Sequence, residues 1–272
     1  MAASPASDPA TGQADAGDTT VDELLGGAVR LMQPRHGYRV CMDTVMLAAA
    51  VPAGPADRVL EAGTGAGGAA LCLARRVGGA EVVGVEVQRA MVDLARRNVD
   101  LNDLAGRMSI VRASVTSRPA ALGTEQFDHV LANPPYLEAG RGVRPPSVSR
   151  GRALMDTDAR LADWVDFCLD MLRVKGTVTF IHRADRVDAL VALLFGRVGE
   201  IALCPLWPRL GRPAKRVIVQ GRKGAGGVCT VLPGIALHGP GGGYTREAEA
   251  ILRDAGPIVL RRAQRCAGAQ SH

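Results

Sequence analysis

Short apolar runs alternate with amphipathic stretches along most of the chain. The apolar runs predict buried strands, which cover 58–62, 81–86, 108–111, 127–132, 177–181, 201–206 and 216–220. The amphipathic stretches predict helices over 69–77, 89–101, 161–172 and 186–195. In the second helix, Met91, Leu94, Ala95 and Val99 share one face at helical spacing. Gly176 is positioned to end the third helix.

Strand–helix alternation of this kind predicts the α/β class. We expect a doubly wound, Rossmann-like fold with a mostly parallel seven-stranded sheet and helices on both faces. In such folds the ligand lies at the carboxyl ends of the strands. We find no internal repeat and no second core, so 21–260 is predicted to form a single domain.

Composition shifts divide that domain and its flanks. The core of the fold is expected over 57–223, preceded by an N-terminal segment, 21–56, and followed by a C-terminal extension, 224–260. Residues 1–20 carry no large apolar side chain after Met1 and are predicted to be a disordered tail. Residues 261–272 are polar and alanine-rich and are expected to fray.

Charge and cysteine usage exclude several classes of protein. The net charge is +6, and only three of the 33 basic residues are lysine. A basic surface suits an anionic partner, although codon usage in a GC-rich genome accounts for the arginine count equally well. The six cysteines form no Cys-x-x-Cys pair, which argues against a zinc site or a disulfide framework and favours a reducing compartment. With neither a leader nor a membrane-spanning run, we expect a cytoplasmic protein. The sequence fixes no oligomeric state, and a monomer is compatible with it.

A glycine-rich turn after the first strand predicts a nucleotide-like cofactor. Gly63, Gly65 and Gly68 follow the G-x-G-x-x-G spacing, and Glu86 ends the next strand. This arrangement suits either a dinucleotide or S-adenosylmethionine, since both carry a ribose whose hydroxyls can donate to the Glu86 carboxylate. Glu61 favours S-adenosylmethionine because its charge repels a pyrophosphate and attracts an ammonium and a sulfonium. A nicotinamide-dependent oxidoreductase is the alternative.

The fourth strand runs into Asn133, Pro134, Pro135 and Tyr136, and this motif predicts an amino-group substrate. An amide-like or aniline-like nitrogen is a poor nucleophile because its lone pair is delocalised. The Asn133 side-chain oxygen and the Pro134 carbonyl can accept its two hydrogens and release the pair, while the prolines fix the backbone. Tyr136 offers a flat face for a flipped-out base. Catalysis is then positioning and electrostatics, with no general base required.

Together these motifs resemble the class I amino methyltransferases, and most closely the bacterial tRNA (adenine-N6)-methyltransferases that modify valine tRNA beside the anticodon. The resemblance spans 33–260. It also rests on four further stretches, which are 37–39 with 43–47, 205–208, 215–221 and 244–248. The family commonly has an acidic residue after the third strand, where this chain has Ser114, a weaker acceptor for the adenine amino group of the donor.

The residues and the resemblance together give a candidate site. The predicted catalytic residues are Asn133, Pro134, Pro135 and Tyr136. The predicted cofactor contacts are Arg39, Asp43, Glu61, Gly63, Thr64, Gly65, Glu86, Val87, Ser114 and Asn133. The predicted substrate contacts are Tyr136, Arg141, Arg144, Arg209, Arg212 and Lys215. The last five are cations in two acid-poor segments and would meet tRNA phosphates, or else are solvated loop residues. No metal ligand is predicted.

The resemblance implies methylation of the exocyclic N6 of an adenine in tRNA. A protein glutamine N5-methyltransferase, acting for example on a release factor, is the main alternative, because a glutamine amide has the same delocalised lone pair. Such enzymes usually carry a helical domain ahead of the sheet, and only about 55 residues precede the first predicted strand here. Another nucleic-acid amino-methyltransferase and a non-catalytic RNA-binding module with a residual donor pocket also remain open.

Overall fold

The chain is described by a computed structural model over residues 19–36, 39–117, 120–124, 126–135 and 159–260. It begins with an antiparallel hairpin of β1 (Thr19–Leu24) and β2 (Val29–Pro34), which stands apart from the main sheet. β1 therefore starts two residues inside the predicted tail. The rest of the predicted tail, 1–18, and the predicted fraying over 261–272 lie outside the described residues.

The main sheet has seven long strands and two short ones. The long strands are β3 (Arg58–Ala62), β4 (Glu81–Glu86), β5 (Met108–Arg112), β6 (Phe127–Ala132), β7 (Leu172–Arg183), β8 (Val198–Trp207) and β9 (Arg216–Lys223). The short ones are β10 (Thr230–Val231) and β11 (Ile235–Ala236), which both pair with β8. The long strands follow the order β8-β9-β7-β6-β3-β4-β5, and β9 runs antiparallel to both of its neighbours.

Helices cover both faces of this sheet, as the α/β pattern predicts. They are α1 (Met42–Ala50), α2 (Gly68–Arg76), α3 (Arg89–Leu101), α4 (Leu161–Met171), α5 (Val187–Leu194) and α6 (Arg246–Asp254). Side chains of α1, α2, α3 and α6 share one apolar core with the hairpin, and α4 and α5 share the other. On β6, Leu131 enters the first core while Val130 and Ala132 enter the second, because successive strand residues face opposite sides. The predicted fold class is confirmed.

The predicted helix end at Gly176 is wrong. α4 ends at Met171, and β7 begins at Leu172 and runs through Gly176. A Cβ at Gly176 would lie 2.7 Å from the Asp128 carbonyl oxygen, so this glycine permits close approach of β7 to β6. The residue with left-handed backbone in this stretch is Lys175, at φ 68°.

Two asparagines, Asn98 of α3 and Asn102 directly after it, dock the hairpin onto the domain. The amide of Asn102 exchanges hydrogen bonds with the backbone N–H and C=O of Arg30, at 2.9 and 2.7 Å. Asn98 does the same with Met32, at 2.7 Å for both bonds. Each side-chain amide thus supplies the donor and acceptor that a neighbouring strand would supply.

Two features concern membranes and metals. No helix in the described ranges is long and apolar enough to cross a membrane. Within the same ranges, no three His, Cys, Asp or Glu side chains cluster so that they could hold a metal ion.

Candidate active site

The carboxyl ends of the parallel strands bring the predicted site residues to one edge of the sheet, which we call the donor edge. Ala62 of β3 pairs with Ala132 of β6, so Gly63 and Asn133 follow neighbouring strands at the same level. Ala62 also pairs with Val85 of β4, which sets Glu86 on the other side of Gly63. The glycine turn therefore lies between Glu86 and the proline motif, although Asn133 follows Glu86 by 47 positions along the chain.

The glycine turn has the backbone that only glycine adopts without strain. Gly63, Gly65 and Gly67 have φ values of 68°, 55° and 92°. At Gly65 no atom lies within 4 Å of the position that a Cβ would take, so the turn leaves open space there. At Gly63 a Cβ would lie 2.3 Å from Cη2 of Trp164, a residue of α4. The indole thus packs directly against the turn.

Glu61 is buried and holds the shape of this turn. Its Oε2 accepts hydrogen bonds from the Thr64 hydroxyl at 2.6 Å and from the Ala70 backbone N–H at 2.8 Å, in the first turn of α2. Burial raises the pKa of Glu61 to about 8, and the charge of Glu86 adds to the rise, while these two donors oppose it. A cation arriving beside Glu61 would stabilise its charged form.

Glu86 connects the turn to the end of β4. One carboxylate oxygen accepts from the Gly65 backbone N–H at 3.0 Å, and the other accepts from the Gln88 N–H at 2.9 Å. Burial raises the pKa of this carboxyl group, and the backbone donors partly offset that effect. Each oxygen keeps a second lone pair, so the carboxylate can still accept from ligand hydroxyls.

Val87 and Ser114 extend the donor edge beyond β4 and β5. Val87 is half-buried and directly follows Glu86. The Ser114 hydroxyl is 2.8 Å from the Thr116 hydroxyl and accepts from the Thr116 N–H at 3.1 Å. Ser114 therefore shapes its own turn, and part of its capacity to bind a ligand is already used.

The proline motif continues directly from β6. Asn133 is half-buried, Pro134 is buried and Pro135 is half-buried. Tyr136 lies outside the described residues, as do Arg141 and Arg144. Since Pro134 is a proline, its own nitrogen offers no hydrogen, which leaves its carbonyl as its polar backbone group.

Two predicted cofactor residues have protein partners. Arg39 donates to the carboxylate of Asp22 at 2.5 Å, and to the Thr20 hydroxyl and the Pro34 carbonyl at 2.9 and 3.0 Å. It therefore ties the start of α1 to the hairpin. Asp43 is buried and accepts from Arg216 Nε at 2.6 Å, where β9 begins at the donor edge.

The loop between β8 and β9 carries the predicted cations Arg209, Arg212 and Lys215. All three are exposed, and within the described ranges none of them forms an ion pair. β8 ends and antiparallel β9 starts at the donor edge, so this loop, 208–215, borders the site. It lies on the side of the proline motif away from the glycine turn.

Sequence reasoning missed two side chains that contact the glycine turn. One is Trp164, whose Nε1 is buried without a hydrogen-bond partner among the described residues. The other is Asn98, whose Nδ2 donates to the Ala66 carbonyl at 2.9 Å and so joins the turn to the hairpin. The available signals were a lone tryptophan on a helix and a polar residue on an apolar helix face. Neither signal identifies the residue that the side chain contacts.

Comparison with known proteins agrees with this geometry. Residues 59–140 match the family described as "Methyltransferase domain". A tRNA1(Val) (adenine(37)-N6)-methyltransferase of Yersinia pseudotuberculosis is 28% identical over 239 residues, covering 85% of this chain and 92% of that protein. An Aeromonas salmonicida protein of the same name is 27% identical over 215 residues, covering 78% and 87%.

A solved structure shares the fold. The crystal structure of a predicted O-methyltransferase from Agrobacterium tumefaciens superposes with a TM-score of 0.67 at 26% identity, covering 81% of this chain and 100% of that one. The open turn at Gly65, the Glu86 carboxylate for ribose hydroxyls and the Glu61 carboxylate for a cation fit the methyl donor. The chain is an S-adenosylmethionine-dependent methyltransferase with a class I fold.

Proposed function

We propose that this enzyme methylates the exocyclic N6 of an adenine in tRNA, at the position beside the anticodon of valine tRNA. The observation that carries the proposal is the Asn133-Pro134-Pro135 motif, which follows β6 at the level of Gly63 in the glycine turn. The names of the Yersinia and Aeromonas relatives support the same reaction.

The chain's own residues explain how an amino group would react there. The Asn133 side-chain oxygen and the Pro134 carbonyl accept the two N6 hydrogens, which draws the nitrogen toward tetrahedral geometry and frees its lone pair. S-adenosylmethionine, when bound, supplies an electrophilic methyl group on a sulfonium. Because the leaving group is neutral and the methylated nitrogen loses its extra proton readily, positioning and electrostatics suffice.

Donor binding is assigned to the turn and its two carboxylates. Glu86 would accept from the ribose hydroxyls, with Val87 beside the adenine and Ser114 near its amino group. Glu61 and the open turn around Thr64 would face the cationic amino-acid end, and Asn133 borders the same space. Arg39 and Asp43 would act from the N-terminal segment, through the partners that they already hold.

The substrate would reach this site across a positive surface. Arg209, Arg212 and Lys215 are exposed cations without ion-pair partners in the described ranges, as phosphate contacts require. Tyr136, Arg141 and Arg144 complete the proposed substrate contacts from the segment after the motif.

One experiment separates the substrate classes. Labelled S-adenosylmethionine is supplied with total tRNA from a strain lacking the modification, with duplex DNA, and with a protein fraction that includes release factors. We expect label only in tRNA, recovered after digestion as N6-methyladenosine. Label confined to protein glutamine would replace this proposal with the glutamine N5 reaction, and label in DNA would replace tRNA as the substrate.

A further inference from the structure

Beyond the loop 208–215, a stacked pair of aromatic rings borders the donor edge. The rings of His238 and Tyr244 have centroids 4.9 Å apart and planes inclined by 25°. The two residues face each other across an isolated antiparallel bridge, closed by the glycine-rich turn 239–243. The Tyr244 side chain is 40% exposed, in a chain with only 3% aromatic residues.

The pair is held in place by backbone contacts on both sides. His238 Nδ1 lies 3.1 Å from the Pro208 carbonyl oxygen, and the His238 backbone N–H donates to the same oxygen at 3.1 Å. Because a carbonyl can only accept, Nδ1 carries the proton and the imidazole orientation is fixed. Thr245 donates from its backbone N–H to Leu237 at 2.9 Å and from its hydroxyl to Ala236 at 2.7 Å. The rings are therefore preorganised.

The topology places this pair at the same edge as the proline motif. β11 pairs in parallel with Leu206 and Trp207 at the end of β8, and His238 follows β11 almost at once. Four strand spacings separate β6 from β11, which is about 19 Å at the usual spacing of strands. That span corresponds to a few nucleotides beside a target base and is too long for the target base itself.

The segment that carries the pair contains no acidic residue, and the first acid after it is Glu247 in α6. No Asp or Glu occurs from Ile201 to Arg246, a stretch that includes β8, β9, the loop 208–215 and both rings. A Cβ at Gly242, in the turn between the two rings, would lie 3.7 Å from Arg209 Nη2, so a guanidinium lies next to the turn. Single-stranded nucleic acid binds preorganised aromatic rings by base stacking, and it binds neighbouring cations through its phosphates.

We propose that the His238–Tyr244 pair is a stacking platform for an unpaired base of the RNA, a few nucleotides from the methylated adenine. This inference rests on the proposed function. In this arrangement the cations of the loop 208–215 hold the backbone between the two positions, while Tyr244 stacks on the base. The platform then determines RNA affinity, and Asn133 determines the chemical step.

The test uses Tyr244→Leu, which keeps an apolar side chain but removes the aromatic face, and Tyr244→Phe, which keeps the face. Phe195→Leu is the matched control, because Phe195 is 81% exposed and precedes β8 at the opposite edge of the sheet. The full-length proteins are titrated with an unmodified transcript of valine tRNA, and KM and kcat are measured with saturating donor.

We expect Tyr244→Leu to raise Kd and KM for the RNA by ~10-fold, as loss of one base stack does. The kcat and the donor affinity should stay at the wild-type values. Tyr244→Phe and Phe195→Leu should bind as the wild type does. Since stacking involves no counterion release, the ratio of the RNA Kd of Tyr244→Leu to that of the wild type should be the same at low and high salt.

Two results would overturn the platform while leaving the proposed function standing. One is wild-type RNA affinity in Tyr244→Leu, and the other is a loss in Tyr244→Leu that is accompanied by an equal loss of donor affinity. If the wild type methylates protein and not RNA, the proposed function fails and the platform fails with it. The wild-type assay distinguishes the two cases.

Discussion

The two edges of the sheet use their charged residues differently. At the edge opposite the donor edge, His129 bridges Asp57 and Thr177, with its Nε2 3.1 Å from Asp57 and its Nδ1 2.6 Å from the Thr177 hydroxyl. Asp128 accepts from the Arg58 backbone N–H and pairs with Arg173 at 2.8 and 2.5 Å. A cavity of about 400 Å³ lies at this edge, and these residues other than Arg58 line it. These charged groups are thus partnered within the protein.

At the donor edge, the carboxylates of Glu61 and Glu86 accept from neutral donors and form no ion pair among the described residues. Glu86 is held by two backbone N–H groups, and Glu61 by a hydroxyl and one N–H. The neighbouring loop exposes Arg209, Arg212 and Lys215 with no carboxylate paired to them in the described ranges. Asp128 pairs with Arg173 at one edge and Asp43 pairs with Arg216 at the donor edge, and such pairs stabilise the fold. Glu61, Glu86 and the three cations of the loop 208–215 have no ion pair in the described ranges, and we propose that they meet a ligand.

The largest effect expected from this contrast is on donor affinity. Glu86→Gln replaces one acceptor oxygen with an NH₂ group facing backbone N–H donors and weakens the contact to ribose, so the Kd for S-adenosylmethionine should rise ~10- to 100-fold. Asp57→Asn at the opposite edge should lower the melting temperature and leave that Kd unchanged. Calorimetric titration and thermal melting of both variants check this. Equal donor affinities in the two variants would show that the two edges of the sheet do not differ in donor binding.

The next effect concerns RNA and salt. Lys215 and Lys175 are both exposed and without ion pairs in the described ranges, but Lys175 lies at the opposite edge and lines the cavity there. Lys215→Gln should reduce the slope of log K for tRNA against log salt by about 1, as loss of one phosphate contact does. Lys175→Gln should leave the slope unchanged. Binding isotherms between 50 and 200 mM salt give both slopes, and matching slopes would contradict the assignment of the loop.

A further effect is a pH dependence of stability at Glu61. Folding raises the pKa of this carboxyl from 4.5 to about 8, so the folded chain holds the proton more tightly than the unfolded chain. The free energy of unfolding of the donor-free enzyme should therefore fall as pH rises from about 4.5 to about 8. Glu61→Gln lacks this contribution, so its melting temperature should exceed that of the wild type by an increasing margin over that range. A margin independent of pH would show that the pKa of Glu61 is the same in the folded and the unfolded chain.

The sheet could be predicted because buried parallel strands are continuous apolar runs, as at β3, β4 and β6. The candidate site residues could be grouped because, in such folds, the ligand lies at the carboxyl ends of the strands. The hairpin could not be predicted, since β1 is polar. The hairpin is held by hydrogen bonds from β2 to Asn98 and Asn102, which lie in and directly after a helix far along the chain. The helix α6 was missed as well. The strands β10 and β11 were also missed, because each has only two residues.

Contacts between side chains far apart in the chain were also beyond the sequence. Trp164 packs on Gly63 because α4 crosses β3 and β6, a geometry set by the whole fold. Arg39 pairs with Asp22 and Asp43 pairs with Arg216, and neither partner follows from local pattern. At Gly176 a local pattern was misleading. Glycine often ends a helix, but Gly176 lies inside β7, where it permits the close approach of β7 to β6.

The proposed reaction depends on Asn133, which we propose activates an adenine amino group. Its most direct test is the rate of N6-methyladenosine formation on unmodified valine tRNA by wild type and by Asn133→Ala, with donor Kd measured alongside. Asn102→Ala is the control, since it removes a buried amide whose hydrogen bonds go to Arg30 of the hairpin and to Asn98 of α3.

We predict a ~10²- to 10³-fold loss of kcat in Asn133→Ala with donor Kd unchanged, as for loss of one preorganised polar contact to the reacting group, and a near wild-type rate in Asn102→Ala. A wild-type rate of N6-methyladenosine formation in Asn133→Ala would contradict the account.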